Sequence, residues 1–172
     1  MFFMKTFSTT QRFMQLFAIL ALFVTVASAF TALPALDKKP VYDALRSAKL
    51  EPIEAQLALV QNSSDNEKQA FEGALLMRKS GLISGPGKKL STFKEGKEKL
   101  EASIAKDNNN TEFRFLRLLI QENAPNIVKY KKNLDEDKAM IIKNYKSLPA
   151  IVQSAVVTYS KTSKVISPQD FK

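Results

Sequence analysis

The chain has 172 residues, 26 of them basic and 17 acidic, for a formal net charge of +9, and it contains no Cys, no His and no Trp. Disulfides, thiolate nucleophiles, histidine-based triads and the usual zinc ligand sets are thereby excluded. Imidazole acid–base chemistry near neutral pH is excluded with them.

The first element in chain order is a leader. Lys5 and Arg12 precede an apolar run from Leu16 to Ala27, and no acid occurs before Asp37. Ala27-Ser28-Ala29 then supplies a small-x-small pattern. Residues 1–29 thus resemble a secretory signal peptide cut after Ala29. A retained anchor is the alternative, but the apolar run falls short of the roughly 20 residues a spanning helix needs. An exported domain without cysteine must be held by packing alone, which suits the periplasm or cell surface of a bacterium. Residues 30–38, with Pro34, read as a linker.

Pro40 opens the first predicted helix, in a turn that tolerates it. Val41, Ala44, Leu45 and Ala48 follow at helical spacing. Pro52 marks a new start, continued by Ile53, Leu57 and Val60, with Ala55 and Leu59 beside them. Asn62 to Asp65 is a turn, and Ser64 with Glu67 has the form of a capping box. The next helix is expected from Asp65 to about Gly81, with Ala70, Phe71, Ala74, Leu75 and Met77 as its apolar side. Ser80-Gly81 and Ser84-Gly85-Pro86-Gly87 then break the chain. Leu90, Phe93, Leu100 and Ile104 form another stripe, within which Lys97 reaches outward along its aliphatic stem. Asp107 to Asn110 make a turn, and Thr111 is placed to cap the helix after it.

Glu112 to about Glu122 is the most apolar predicted helix. Phe113, Phe115, Leu116, Leu118, Leu119 and Ile120 cover most of its circumference and leave Arg114, Arg117 and Gln121 in one narrow strip. Such a helix belongs in the middle of a bundle. Pro125 ends it. Ile127, Val128 and Tyr130 begin a short basic helix with Lys129, Lys131 and Lys132. Leu134, Ile141, Tyr145 and Leu148 give a further stripe. Pro149 starts a last helix bearing Val152, Val156 and Tyr159, and residues 161–172 read as a flexible tail. No stretch alternates like a strand. The fold class is therefore all-α, a domain over 39–160 of six to eight helices in antiparallel hairpins.

Leu100 to Asn110 resembles the end of a tetratricopeptide repeat. That family closes its second helix with a large apolar residue, a small one three later and an apolar one, and then a turn. Leu100, Ser103 and Ile104 match those positions, and Gly96 matches the small position upstream. Small side chains at Gly96 and Ser103 let a neighbouring helix approach, and Leu100 fills the gap. Asn108 stands where the family has Pro, and the period of about 34 residues does not recur. The loop between the two helices, starting at Gly81, reads as too long for a standard repeat. The likeness covers 65–110. The whole chain also resembles small exported helical proteins of the Bacteroidetes type, to which no function is assigned. These resemblances imply a degenerate helical-hairpin architecture and a role in protein binding.

The sequence offers three candidate sites. Arg114, Arg117 and Gln121 would serve either as an anion or peptide-carboxylate site or as an internal ion-pair stripe with acids such as Glu72, Glu98 or Glu101; the stripe is favoured. The lysines of 88–99, 129–132 and 138–146 are interleaved with Glu95, Glu98, Glu101 and Asp135-Glu136-Asp137, as on solvated faces, so no nucleic-acid partner is expected. Glu51/Glu54, Glu98/Glu101 and Asp135/Glu136/Asp137 are the carboxylate sets that hydrolysis would draw on, but they sit at helix starts or on charged faces. Gly85-Pro86-Gly87-Lys88-Lys89 lacks the spacing of a phosphate-binding loop. The expectation is an exported, non-enzymatic binding or scaffold module for protein or peptide partners, without cofactor or metal. The alternative is a peripheral envelope protein held to anionic lipid or glycan by charge.

Overall fold

The computed structural model describes residues 36–63 and 67–172. The expected signal peptide with Ala27 and Ala29, most of the 30–38 linker and Ser64 of the capping box lie outside the described residues. Among the described residues all regular secondary structure is helical: α1 (Lys38–Arg46), α2 (Leu50–Gln61), α3 (Lys68–Ser80), α4 (Pro86–Lys106), α5 (Thr111–Asn123), α6 (Leu134–Asn144) and α7 (Ala150–Ser160). Short 3-10 turns lie at Asn126–Val128, Tyr145–Ser147 and Pro168–Phe171. None of these helices is long and apolar enough to cross a membrane.

Local chemistry sets the helix starts. The Asp37 carboxylate accepts the Lys39 amide at 3.1 Å and caps α1, as a short acidic side chain does well. Asn110, not Thr111, caps α5, accepting the Phe113 amide at 3.1 Å. Thr111 is already helical and buried, and its hydroxyl accepts from Asn144 at 2.9 Å. Gly85 turns with φ +88°, and Pro86 is the first residue of α4. The glycine- and proline-rich stretch is thus partly the first turn of a helix, since Pro costs nothing where no intrahelical amide bond exists. The α3–α4 connection shrinks to residues 81–85 and is not the long loop expected.

α3 and α4 make the most extensive helix–helix contact. It is built on two glycines. A Cβ on Gly96 would lie 2.5 Å from the Gly73 carbonyl oxygen, and one on Gly73 would lie 2.6 Å from that of Gly96. Backbone meets backbone there, and Leu100 packs beside the crossing with no exposure. The small residue at Gly96 has the close-approach role its spacing predicts.

α5 lies against α3, α4, α6 and α7, and every residue from Thr111 to Gln121 is buried. Its Phe115 ring stands between Tyr42 of α1 and Tyr159 of α7, with centroids 5.8 and 6.0 Å away. Burying aromatic and aliphatic carbon on this scale is the main force holding the helices, at about 25 cal/mol per Å². Tyr42, Phe71, Phe93, Phe113 and Phe115 all join this core.

Three further expectations are corrected. Residues 127–132 do not form a helix. Lys129 takes a left-handed conformation, φ 48°, which ends the turn at Asn126–Val128 and sends Tyr130 inward against Phe93. Residues 161–172 are not a loose tail. Ile166 is 1% exposed, and Phe171 stacks on Tyr145 at 4.8 Å. Glu122 of α5 fastens this segment, accepting from Tyr159 Oη at 2.8 Å, Ser163 Oγ at 2.6 Å and the Lys164 amide at 2.6 Å. Finally, Leu90 leaves the core stripe and faces solvent.

Candidate functional site

The strip of α5 that carries Arg114, Arg117 and Gln121 faces α6. Steps of three and four residues keep the three on one side of the helix. Arg117 grips Asp137 with both arms: Nε to Oδ2 and Nη2 to Oδ1, each at 2.7 Å. Its Nη1 donates to Glu101 Oε2 of α4 at 3.1 Å. Arg114 Nη1 donates to Glu136 at 2.9 Å and to Asp137 at 3.3 Å. Arg114 Nη2 also donates to the carbonyl of Asn108 at 3.0 Å and to its side-chain oxygen. Gln121 exchanges two bonds with Asn133: its Oε1 accepts from the backbone amide at 3.2 Å and its Nε2 donates to Oδ1 at 3.3 Å.

Arg114, Arg117 and Gln121 are 4, 3 and 0% exposed. The candidate partner-binding strip is therefore an internal lock between α4, α5 and α6. Bidentate pairing in a water-poor site is the arrangement for which a guanidinium is suited. Of the acids considered for it, Glu101 is a partner. Glu72 pairs instead with Lys99 at 3.3 Å, and Glu98 is exposed. The central acid is Asp137, which belongs to an acidic run expected on a solvated face. Its burial has a signal in the sequence. Leu134 and Ile141, three before and four after it, place Asp137 on the core face of α6, while Asp135 and Glu136 turn outward. Burial pushes the Asp137 carboxyl up against the pull of Arg117 and Arg114. A bond from Asn133, with the charges of Arg114 and Arg117, lowers that of exposed Glu136.

A second buried polar group sits at the other end of α5's first turn. Glu112 accepts from Lys38 Nζ at 2.6 Å and from Tyr42 Oη at 2.5 Å, and Lys38 also pairs with Glu67. Burial raises the Glu112 carboxyl in spite of those donors. For Lys38, burial works to lower the ammonium, but Glu112 and Glu67 outweigh it and the net shift is upward. The ammonium also lies 5.3 Å from the centre of the Phe71 ring, a favourable cation–π position. These groups join α1, α3 and α5. The carboxylate sets that suggested hydrolysis are spread among such contacts: Glu101 and Asp137 converge on Arg117, and Glu54 pairs with Lys79 at 2.8 Å.

The surface offers a different feature. The C-terminal end of α3, the first turns of α4 and the end of α5 with its adjoining turn enclose an open cavity of about 500 Å³. Met77, Phe93, Ile120, Ala124, Pro125 and Val128 contribute to its largely apolar wall. Leu90 and Ile127 also line it, yet are 48 and 87% exposed. Arg78 and Lys89 are the charged residues of the lining, and no acid among the described residues joins them. The volume falls in the range of ordinary ligand pockets. Nothing in the spacing of apolar residues announces it, because its walls come from three separated segments. The turn that sends Tyr130 inward is the one that leaves Ile127 outside.

No protein-family model, curated protein or solved structure matches the chain.

Proposed function

We propose that the chain is an exported, non-enzymatic binding module, built from tetratricopeptide-like helical hairpins, that receives a protein or peptide partner in the α3–α4–α5 groove. One observation carries this reading. The polar groups that first suggested a site are consumed in holding helices together, whereas the groove presents large apolar side chains to water. Ile127, at 87% exposure, belongs to the lining of this apolar cavity and adds nothing to the core. Contiguous apolar surface beside a cavity is the ordinary mark of a binding face.

The test uses the chain as bait in bacterial envelope extract, alongside Ile127→Asp and Leu59→Asp. Leu59 is a comparably exposed apolar residue outside the groove. A partner that is recovered by the unaltered chain and Leu59→Asp but lost with Ile127→Asp supports the proposal. Recovery indifferent to Ile127→Asp refutes it. Adsorption to an anionic envelope surface through exposed Lys88, Lys89, Lys94 and Lys97 is the competing reading. It predicts binding to anionic vesicles that ignores Ile127→Asp and fades with salt over a Debye length of about 8–10 Å.

A further inference from the structure

Resting on that reading, we infer that the groove's occupant is an amphipathic helix of a partner protein whose polar flank is acidic. Charge points to the acid. Lys89 lines the cavity together with Arg78, whose guanidinium is bonded to the Ser47 carbonyl, exposed Lys88 and Lys129 stand next to it in sequence, and no acid among the described residues lines it. Lys88 and Lys89 occupy the first turn of α4, which has no acidic residue and no side-chain cap at Gly85. Cations at that end oppose the helix dipole, so an incoming carboxylate relieves both the dipole and the lysine cluster. A second copy of this chain is a poor source, being net +9. Its own leader region is no better, with Lys5, Arg12 and no acid before Asp37.

The apolar geometry selects the form of the occupant. Leu90 and Ile127 are the exposed large apolar residues of the lining, so an occupant that covers both suits the groove better than a small amphiphile. A helix with anchors at i, i+3 or i+4 and i+7 presents a continuous apolar face about 10 Å long, which suits a cavity whose lining includes both Leu90 and Ile127. Strand addition needs an open sheet edge, and the described residues contain no strand. Polyproline recognition needs a groove lined by aromatic residues, and among the described residues Phe93 is the single aromatic one in the lining.

The experiment measures fluorescence anisotropy of a labelled synthetic helix of roughly 16 residues, about four turns, against the full chain. Its leucines take the anchor spacing and its flanks are glutamate; a second peptide carries lysine in place of glutamate. The acidic helix should bind at least about tenfold more tightly than the basic one, a difference that narrows with added salt. Ile127→Asp and Leu90→Asp should each weaken binding about tenfold or more. Leu59→Asp should leave it unchanged. Equal binding of both peptides, or no effect of Ile127→Asp, overturns the inference. So does tight binding of dodecanoate without binding of the acidic helix. Self-association that Ile127→Asp abolishes, with neither peptide bound, overturns it too. Recovery of a partner that depends on Ile127 while the two peptides bind alike sinks this inference and leaves the proposed function standing.

Discussion

Removing Asp137 separates an internal lock from a binding site. Asp137→Ala takes from Arg117 two acceptor contacts of 2.7 Å and from Arg114 one of 3.3 Å. Both guanidiniums are almost sealed from water, so solvent cannot replace the lost carboxylate. Arg117 keeps Glu101, whose side chain is 34% exposed, and Arg114 keeps Glu136 and the Asn108 carbonyl. Breaking a buried pair by deleting one member costs about 3–5 kcal/mol, and the surviving partners put this case near 3 kcal/mol. With a urea slope of about 2 kcal/mol per molar, the midpoint should fall by about 1.5 M. The assay is urea unfolding monitored by far-ultraviolet circular dichroism. The control is Asp135→Ala, an exposed acid of the same first turn, expected to cost about 0.3–1 kcal/mol through the helix dipole. Equal midpoints for the two variants would refute the lock. A triple change, Arg114→Met, Arg117→Met and Asp137→Leu, should restore most of the stability, because replacing a whole buried charge set by packed carbon is often neutral or better. If that protein folds but no longer captures its partner, the arginines act in recognition after all.

Single contacts set the other expected outcomes. Gly96→Ala should lower stability by about 1–3 kcal/mol or more in thermal melts, since the new Cβ meets backbone oxygen at 2.5 Å; Gly87→Ala, with nothing within 4 Å, should be neutral or stabilising by up to about 1 kcal/mol. Tyr42, Tyr130 and Tyr159 each donate to a buried or half-buried carboxylate, and burial first, then that carboxylate, raises all three hydroxyls above their ordinary range. The unfolded chain releases those protons first, so their contribution is complete below about pH 10 and declines above it by about 4 kcal/mol per pH unit for three groups. In a Tyr145→Phe background, tyrosinate absorbance should rise together with loss of helix, and tyrosine ionisation near pH 10 in a protein still folded would contradict this. Glu122→Ala should expose residues 161–172 to limited proteolysis and fast amide exchange while α3 to α5 stay protected, because three donors lose their common acceptor.

The helical class and the central helix were legible because their signals are local and repeated. Apolar residues all round 113–120 leave a helix no solvent face, and the small Gly96 four residues before Leu100 marks a close crossing. The arginine strip was legible as a strip, but its partner depended on which of three consecutive acids turns inward. What stayed hidden depends on contacts far along the chain. Tyr130 is drawn in by Phe93 and Glu101, against the helical reading of its lysine-rich neighbours. The C-terminal segment has too few apolar residues for any period, and Glu122, some forty positions earlier, holds it. The groove is a negative feature, a gap left between three segments, so no residue pattern encodes it.

Arginine and lysine have divided the chain's positive charge, and that division bears on recognition. Arg78, Arg114 and Arg117 are each bonded to backbone or carboxylate within the fold, using the fork geometry that lysine lacks. The charge left on the outside is mostly lysine, mobile and well hydrated. Such charge attracts acidic partners and speeds their arrival, but it holds no particular geometry and weakens with salt. On the proposed reading, discrimination among acidic partners comes from a part of the surface with fixed shape. The apolar cavity lined by Leu90 and Ile127 has that property, since two of its walls, α3 and α4, are held at close approach by Gly73 and Gly96. A partner would thus be gathered by the lysines and retained by the groove, so charge changes should alter mainly association rates and groove changes mainly dissociation rates.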